Sequence, residues 1–465
     1  MTATMSAGIV PGGVGAPRSE AAGGPRELEA RGRPRAMLPP SRLLPADSST
    51  GADLASHLRR HGPLPPRRGA RWRAGALEAV ADAGLVGRGG AGFPTARKLR
   101  SVASQRRRAV VVANGTEGEP ASRKDRVLLA RAPHLVLDGA VVAAELVGAS
   151  QVVAVVHPDA RSPVDVAVAE RRAAGVDTVA IRVVTAAAGF VAGEASAVVN
   201  WVANGRPVPV GKNPRMSERG IGRRPTLVQN VETLAHLALV ARHGAAWYRA
   251  AGTPDEPGTV LVTLLGAVAE PGVYEVEVGT AVSDVLARAG GATEPLQALL
   301  VGGYFGTWVP AAGIGARPFS AAGLGAGLGA GLVAALPARV CGIAETARLV
   351  RYLASESAGQ CGPCVFGLPA IAGAFESLAA GRWAGAGRLD HWLEEIVGRG
   401  ACGHPDGVAH LARSALDVFA DEVADHRSGW CRAPHAAPFL PHLEPRSHPG
   451  PRLRTGLQTL QLRQP

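Results

Sequence analysis

Cys361 and Cys364 lie two residues apart in E-S-A-G-Q-C-G-P-C at 356–364, and Cys402 follows inside G-A-C-G-H-P-D-G at 400–407. Thiolates in such a pattern are ligands for an iron–sulfur cluster or a zinc ion. A fourth thiolate is expected three residues before Cys361, but Ala358 stands there. The pattern therefore points to a redox centre with one altered corner. His404, two residues after Cys402, is a candidate replacement ligand, and with the three cysteines it would equally make a Cys₃His zinc site. C-G-P-C is also the form of a redox dithiol, which needs a strand before it and a helix starting at it; here a helical stretch precedes it. Of the other two cysteines, Cys341 falls at an expected helix start. Cys431 falls in the tail and reaches a metal only if the tail folds back.

Three further segments could hold a cofactor. Gly87, Gly89 and Gly92 fit G-x-G-x-x-G, which lets backbone N–H groups approach a phosphate or a flat ring. Gly90 adds to the density, and Arg88 and Lys98 supply positive charge. A dinucleotide fingerprint needs a strand before the loop, and a helical pattern precedes this one. The acidic loop N-G-T-E-G-E-P at 114–120 follows a strand, where ligands of open α/β sheets bind. Asn114, Glu117 and Glu119 there offer polar groups for sugar hydroxyls or a ring edge. A third loop, A-G-F-V-A-G-E-A-S at 188–196, follows another strand and brings Gly193 and Glu194 toward the same crevice.

The elements that must position these loops alternate. Apolar spacing predicts helices over 73–83, about 95–105, 138–147 and 164–174, with strands at 109–114, 151–156 and 178–184. That order implies a parallel sheet covered by helices. A loop is expected over 205–227, then one amphipathic helix beginning with V-Q-N-V-E-T-L. Residues 258–310 change to a small β-rich domain, and 345–424 read as helices with the cysteines in their loops. Residues 1–73 read as a disordered or linker arm and 426–465 as a disordered tail. The apolar stretch from Ala321 to Val340 is dominated by Gly, Ala and Pro337 and makes a poor membrane span.

The formal charge of +12 does not imply a nucleic-acid partner, because it is confined to those ends. Residues 1–73 hold twelve arginines against five acids, and 426–465 hold six against one. The stretch between is neutral. Five cysteines in 465 residues are too few for a disulfide scaffold, so a cytoplasmic location is expected, with membrane association only through partners. Met37 is a candidate alternative start.

The loops in this order resemble the family of NADH-oxidising flavoprotein subunits of respiratory complex I, which also occurs in NAD-linked hydrogenases and formate dehydrogenases. G-R-G-G-A-G-F-P-T at 87–95 matches the family's motif without a change. N-G-T-E-G-E-P-A-S-R-K-D-R at 114–126, F-V-A-G-E-A-S-A-V at 190–198, P-T-L-V-Q-N-V-E-T-L at 225–234 and E-S-A-G-Q-C-G-P-C match four more. The resemblance covers about residues 74–425. It implies an α/β fold with a Rossmann-like flavin domain (74–245), a β-grasp, ubiquitin-like SLBB domain (256–336) and a C-terminal helical bundle carrying the cluster (338–425). It further implies FMN on Gly87, Arg88, Gly89, Gly90, Lys98, Asn114, Glu117, Gly193, Glu194 and Asn230. Thr116 and Gln229 replace an Asp and an Asn of the family there. A [4Fe–4S] or [3Fe–4S] cluster would sit on Cys361, Cys364 and Cys402.

On the nucleotide side, Phe93 and Glu119 remain, while Ala195 replaces a glutamate and Ser101 an aromatic. A Lys-Pro-Pro-Phe stretch is absent between Arg215 and Pro225. The resemblance implies an oxidoreductase passing electrons from NADH or another donor through FMN and the cluster to a ferredoxin-like or quinone-linked partner. The alternative is a non-catalytic binding or assembly relative with a zinc or remnant cluster.

Overall fold

The computed structural model describes residues 41–45, 52–65, 69–211, 214–382, 386–433 and 437–441. The candidate start at Met37 and most of the expected arm and tail lie outside them. The described residues, all from Ser41 onward, fall in one compact unit.

Its first layer is a four-stranded parallel sheet of β1 (Ala109–Gly115), β2 (Ala149–Val156), β3 (Ala180–Thr185) and β4 (Thr226–Asn230), in the order β3-β2-β1-β4. Strands β1 and β2 are rich in Val and Ala because both faces are covered, whereas edge strand β3 leaves Ala180 and Arg182 exposed. Val111, Ala113, Val152 and Ala154 face one core, and Val110, Val112, Val153 and Val155 face the other. Before the sheet come α1 (Leu54–His61), α2 (Gly69–Asp82) and α3 (Thr95–Ala103). Between strands run α4 (Lys124–Arg131), α5 (Pro133–Val147), α6 (Arg161–Ala174) and α7 (Ala195–Asn204). After β4 comes α8 (Val231–Arg249), broken at Gly244. Helices α5 and α8 cross so closely that a Cβ on Gly139 would lie 1.8 Å from the Leu234 carbonyl oxygen.

The strand order reverses at β1. Strands β2 and β3 wind outward on one side and β4 pairs on the other, with Asn114 opposite Asn230 at the carboxyl ends. Such a reversal opens a crevice beyond the strand ends.

The second sheet has five strands, β5 (Thr259–Gly266), β6 (Gly272–Glu277), β7 (Leu296–Val301), β8 (Thr307–Pro310) and β9 (Leu332–Pro337), ordered β6-β5-β9-β7-β8. Helices α9 (Val282–Arg288) and α10 (Ala321–Leu324) lie in its connections. The parallel pairing of β5 with β9 between antiparallel neighbours is a β-grasp arrangement. One face of this sheet packs on a helical layer of α11 (Gly342–Ser355), α12 (Leu368–Ala379), α13 (Ala386–Ile396), α14 (His404–Val418) and α15 (Ala420–Arg427).

Several expectations are corrected. Residues 226–230 form strand β4 rather than the loop and helix expected there, and the helix begins at Val231, capped by the Asn230 side chain. The arm carries α1 and the start of α2. It also carries a packed segment at 41–45, where Leu43 is fully buried and the Arg42, Leu43 and Leu44 N–H groups donate to the Glu275 carboxylate. The tail returns at 437–441. There Leu440 is buried and its N–H donates to Glu345 at 2.8 Å.

Candidate functional site

At the β1/β4 reversal a cavity of about 510 Å³ opens, a size suited to a small-molecule cofactor. Arg88, Gly89 and Gly90 of the glycine loop line one wall, with Asn114, Glu117, Glu119, Gly193, Glu194 and Asn230 around it. Cys402, Gly403 and His404 form the far wall, and Gly302, Phe305 and Gly329 of the β-grasp domain close the side. Three domains therefore share one cavity.

The polar side chains mostly brace the loops. Glu117 takes a left-handed backbone conformation, φ 48°. Its carboxylate accepts from the Ser122 hydroxyl, the Asp125 and Arg126 N–H groups and Arg126 Nε. Asn114 Nδ2 donates to the Gly193 carbonyl at 3.1 Å, tying the second loop to the third. Asn230 Oδ1 caps α8, while its Nδ2 donates to Asp125 Oδ2 at 2.6 Å. Glu194 caps α7 by accepting from the Ser196 and Ala197 N–H groups. With the side chains so engaged, backbone lines much of the crevice. Gly118 fits only as glycine, because a Cβ there would lie 2.6 Å from the Phe190 carbonyl oxygen.

Gly87, Phe93 and Lys98 fall outside the cavity lining, as do Thr116, Gln229, Cys361 and Cys364. Gly87 N–H closes its loop on the Phe93 carbonyl, and the Phe93 ring is exposed under the Arg97 guanidinium. Lys98 Nζ donates to the Val228 carbonyl at 2.6 Å, and burial, only partly opposed by Glu194, lowers its pKa. Arg88 directs its guanidinium to the Tyr248 hydroxyl and the Pro257 carbonyl. The positive charge expected for a phosphate thus reinforces the fold instead. Lys124, not anticipated, lines the cavity and pairs with Asp125 and Glu232 at 2.7 and 2.8 Å. Burial alone would lower its pKa, but the two carboxylates outweigh it and hold the amine charged.

Two lining residues carry buried polar atoms with no partner among the described residues, Arg88 Nε and Glu119 Oε1, and so do Thr116 (Oγ1) and Gln229 (Nε2), which lie next to lining residues in the chain but outside the lining. Glu119 accepts the Tyr304 N–H on its other oxygen at 3.0 Å. Burial, opposed by that bond and aided by Glu117, pushes its pKa up to about 8. At neutral pH it is mostly a neutral acid and can donate a hydrogen bond from Oε1. Unsatisfied polar atoms on residues lining a glycine-rich crevice fit a ligand with polar groups.

The cysteine loops follow α11 and precede α14. Helix α11 ends at Ser355, and Cys364 sits on a π-turn at Pro363–Gly367 leading into α12. Such turns recur at functional sites. Cys402 sits just before α14 and accepts the His404 N–H, so a helix N-terminus faces its sulfur. Cys364 is close enough to feel Cys361 and Cys402, and the Ser357 hydroxyl bonds to it. Burial raises the Cys364 and Cys402 thiols, so a bound metal is what would favour their thiolates. Ala358, the altered corner, brings no donor. Nor does His404 turn Nε2 to the sulfurs: it pairs with the Leu353 carbonyl at 2.7 Å, and burial lowers its pKa to about 4. The Cys₃His zinc reading would have to use the other ring nitrogen, Nδ1, which is buried with no partner among the described residues. The dithiol reading loses its strand, because α11 precedes the motif.

Comparison with known proteins settles the family. Residues 80–239 match the Nuo51 FMN-binding domain, 261–303 the SLBB domain, and 344–426 the NADH-ubiquinone oxidoreductase-F iron-sulfur binding region. The NADH-quinone oxidoreductase F subunit of Mycobacterium tuberculosis is 30% identical over 76% of this chain and 84% of its own length. The chain belongs to the NADH-quinone oxidoreductase F-subunit family. A second relative of that name, in Rhizobium meliloti, is 29% identical over 75% of this chain and 88% of its own. The alpha subunit of the NAD-reducing hydrogenase HoxS of Cupriavidus necator is 33% identical over 62% of this chain, which spans about half of its length (49%). A crystal structure of an NAD+-reducing [NiFe]-hydrogenase in the H2-reduced state superposes with a TM-score of 0.71 at 34% identity, covering 76% of this chain and 63% of that one.

This F-type family member therefore carries an FMN-binding domain and an iron–sulfur region. No single helix among the described residues is long and apolar enough to cross a membrane, and the one bent pair that passes by composition, α4 with α5, is largely buried in the core. The glycines of 321–331, which could have flagged the third wall, were legible only as a poor membrane span.

Proposed function

We propose that this chain oxidises NADH at FMN held in the crevice and delivers the electrons singly, through a cluster on Cys361, Cys364 and Cys402, to a redox partner protein. The observation that carries this reading is the shared cavity: the glycine and acidic loops form one wall and the Cys402 loop the other. When bound, FMN converts a two-electron donor into one-electron steps.

The chain's own residues would act as follows. Gly89 and Gly90 let backbone approach the cofactor, and Gly118 and Gly193 keep the two acidic loops in contact behind it. Glu119 Oε1, protonated at neutral pH, donates a hydrogen bond into the crevice. Thr116 and Gln229, where the family has Asp and Asn, carry buried unpaired atoms next to the lining residues Glu117 and Asn230 in the chain. Phe190 and Phe305, edge to face with ring centroids 4.7 Å apart, exclude water between the crevice and the cysteine loop.

The nucleotide hold is weakened. Ala195 offers no carboxylate, and one lost polar partner is worth about 1–3 kcal/mol. NADH is therefore the donor at a raised KM. A ferredoxin-like partner is the acceptor the cluster suits, and the free thiols are consistent with a reducing, cytoplasmic compartment.

Cys361→Ser tests the reading. It should retain flavin and NADH-driven reduction of ferricyanide, while losing iron and transfer to a one-electron protein acceptor. Unchanged iron content in that variant refutes the ligand assignment.

A further inference from the structure

The two cysteines outside the cluster motif meet at the opposite end of α11. Cys341 is the N-cap of that helix, fully buried, with its sulfur accepting the Ala344 N–H at 3.3 Å. His426, in the last turn of α15, is also buried, and its Nε2 lies 3.1 Å from the Cys341 sulfur. The tail then turns at Gly429, φ 81°, and brings Cys431 back over the same point. The two sulfurs and the imidazole nitrogen all lie within 4.8 Å of one another. Among the described residues this is the sole group of three or more His, Cys, Asp and Glu donors that converges so closely.

A fourth group stands beside them. Glu422 Oε2 is 3.4 Å from the Cys341 sulfur, in a carboxylate fixed by the Gly342 and Ile343 N–H groups and by Gln297 Nε2. Two thiols and an imidazole with a carboxylate oxygen nearby are donors for a borderline-soft, tetrahedral cation, not for magnesium or calcium.

We propose that Cys341, His426 and Cys431 bind one zinc ion, which pins the C-terminal segment to the start of α11. The site is distinct from the cluster. Fourteen residues of α11 separate them, about 21 Å at about 1.5 Å per residue. Its placement suits a structural role. The chain just beyond Cys431 carries Phe439 and Leu440, whose N–H groups reach Glu345 one turn into α11, and α11 runs directly into the cysteine loop. Binding would release the proton of each thiol, two per zinc, as both sulfurs become thiolates.

The test is elemental analysis of the full-length, flavin- and cluster-loaded protein from zinc-supplemented cells, beside Cys431→Ser, His426→Ala, His426→Cys and Cys361→Ser. The expected result is about one zinc per wild-type chain. Cys431→Ser and His426→Ala lose it with iron and flavin unchanged, His426→Cys keeps it, and Cys361→Ser loses iron but not zinc. Where a variant fails to fold, a zinc chelator added to wild type should remove the metal and lower Tm while the flavin spectrum persists. Wild type without stoichiometric zinc overturns the proposal, including the case where mass spectrometry finds a Cys341–Cys431 disulfide. Zinc that survives in Cys431→Ser but disappears in Cys361→Ser overturns it too, by placing the metal at the cluster cysteines.

Discussion

Glu119 is the residue where burial and chemistry meet. Its pKa is raised from 4.5 to about 8, so the folded chain keeps a proton that the unfolded chain loses. The stability tied to this group is fully present below about 4.5 and is lost as pH rises through about 8. Glu119→Gln, neutral at every pH, should flatten that decline. Thermal unfolding between pH 5 and 9 should show the variant gaining on wild type as pH rises, and parallel profiles would show that Glu119 is not held protonated. Ala195 gives a second prediction. If the lost carboxylate weakens the nucleotide hold, Ala195→Glu should lower the KM for NADH about tenfold, for about 1.4 kcal/mol regained, with kcat little changed. An unaltered KM would move the nucleotide away from the N-terminus of α7.

At the scale of elements, the loops are set by backbone contacts that tolerate no added carbon. A Cβ on Gly118 would meet the Phe190 carbonyl oxygen at 2.6 Å, so Gly118→Ala must part the second loop from the third. Flavin retained on purification should fall several-fold while iron stays constant; full flavin occupancy would mean that the loops part without disturbing the crevice. Much of this level was legible in the residues. The Val-rich runs marked β1 and β2 because both faces are buried, and Cys341 was readable as a helix start. Strand β4 was not, because T-L-V-Q-N runs into V-E-T-L without a break in apolar spacing. Asn230 is both the strand's last residue and the helix cap, and only pairing with β1 distinguishes the two. The roles of Glu117, Arg88 and Lys98 were hidden for another reason. Their residue types suit ligand binding, yet Arg88 and Lys98 find their partners 130 to 169 residues away, which spacing cannot reveal, and Glu117 binds Ser122, Asp125 and Arg126 a few residues further along its own stretch of chain. Nor could local pattern show the tail returning to Cys341.

For the whole molecule, the arrangement of three domains around one cavity is what makes the chain an electron-transfer protein rather than a flavin-binding domain with an attached metal site. Neither the glycine loop nor the cysteine motif suffices alone; the β-grasp domain completes the wall with Gly302, Phe305 and Gly329. The basic excess lies at the chain ends, away from this cavity in sequence, so raised salt should weaken any association made by those ends without changing flavin reduction. Stopped-flow reduction at low and high salt measures this, and a strong salt dependence of flavin reduction itself would place charge in the nucleotide path. Whether electrons from NADH cross this cavity to the cluster is read from an anaerobic visible spectrum of the loaded protein during titration with NADH. Flavin and cluster bands should bleach together near stoichiometric NADH. Bands that yield only to dithionite would contradict that transfer.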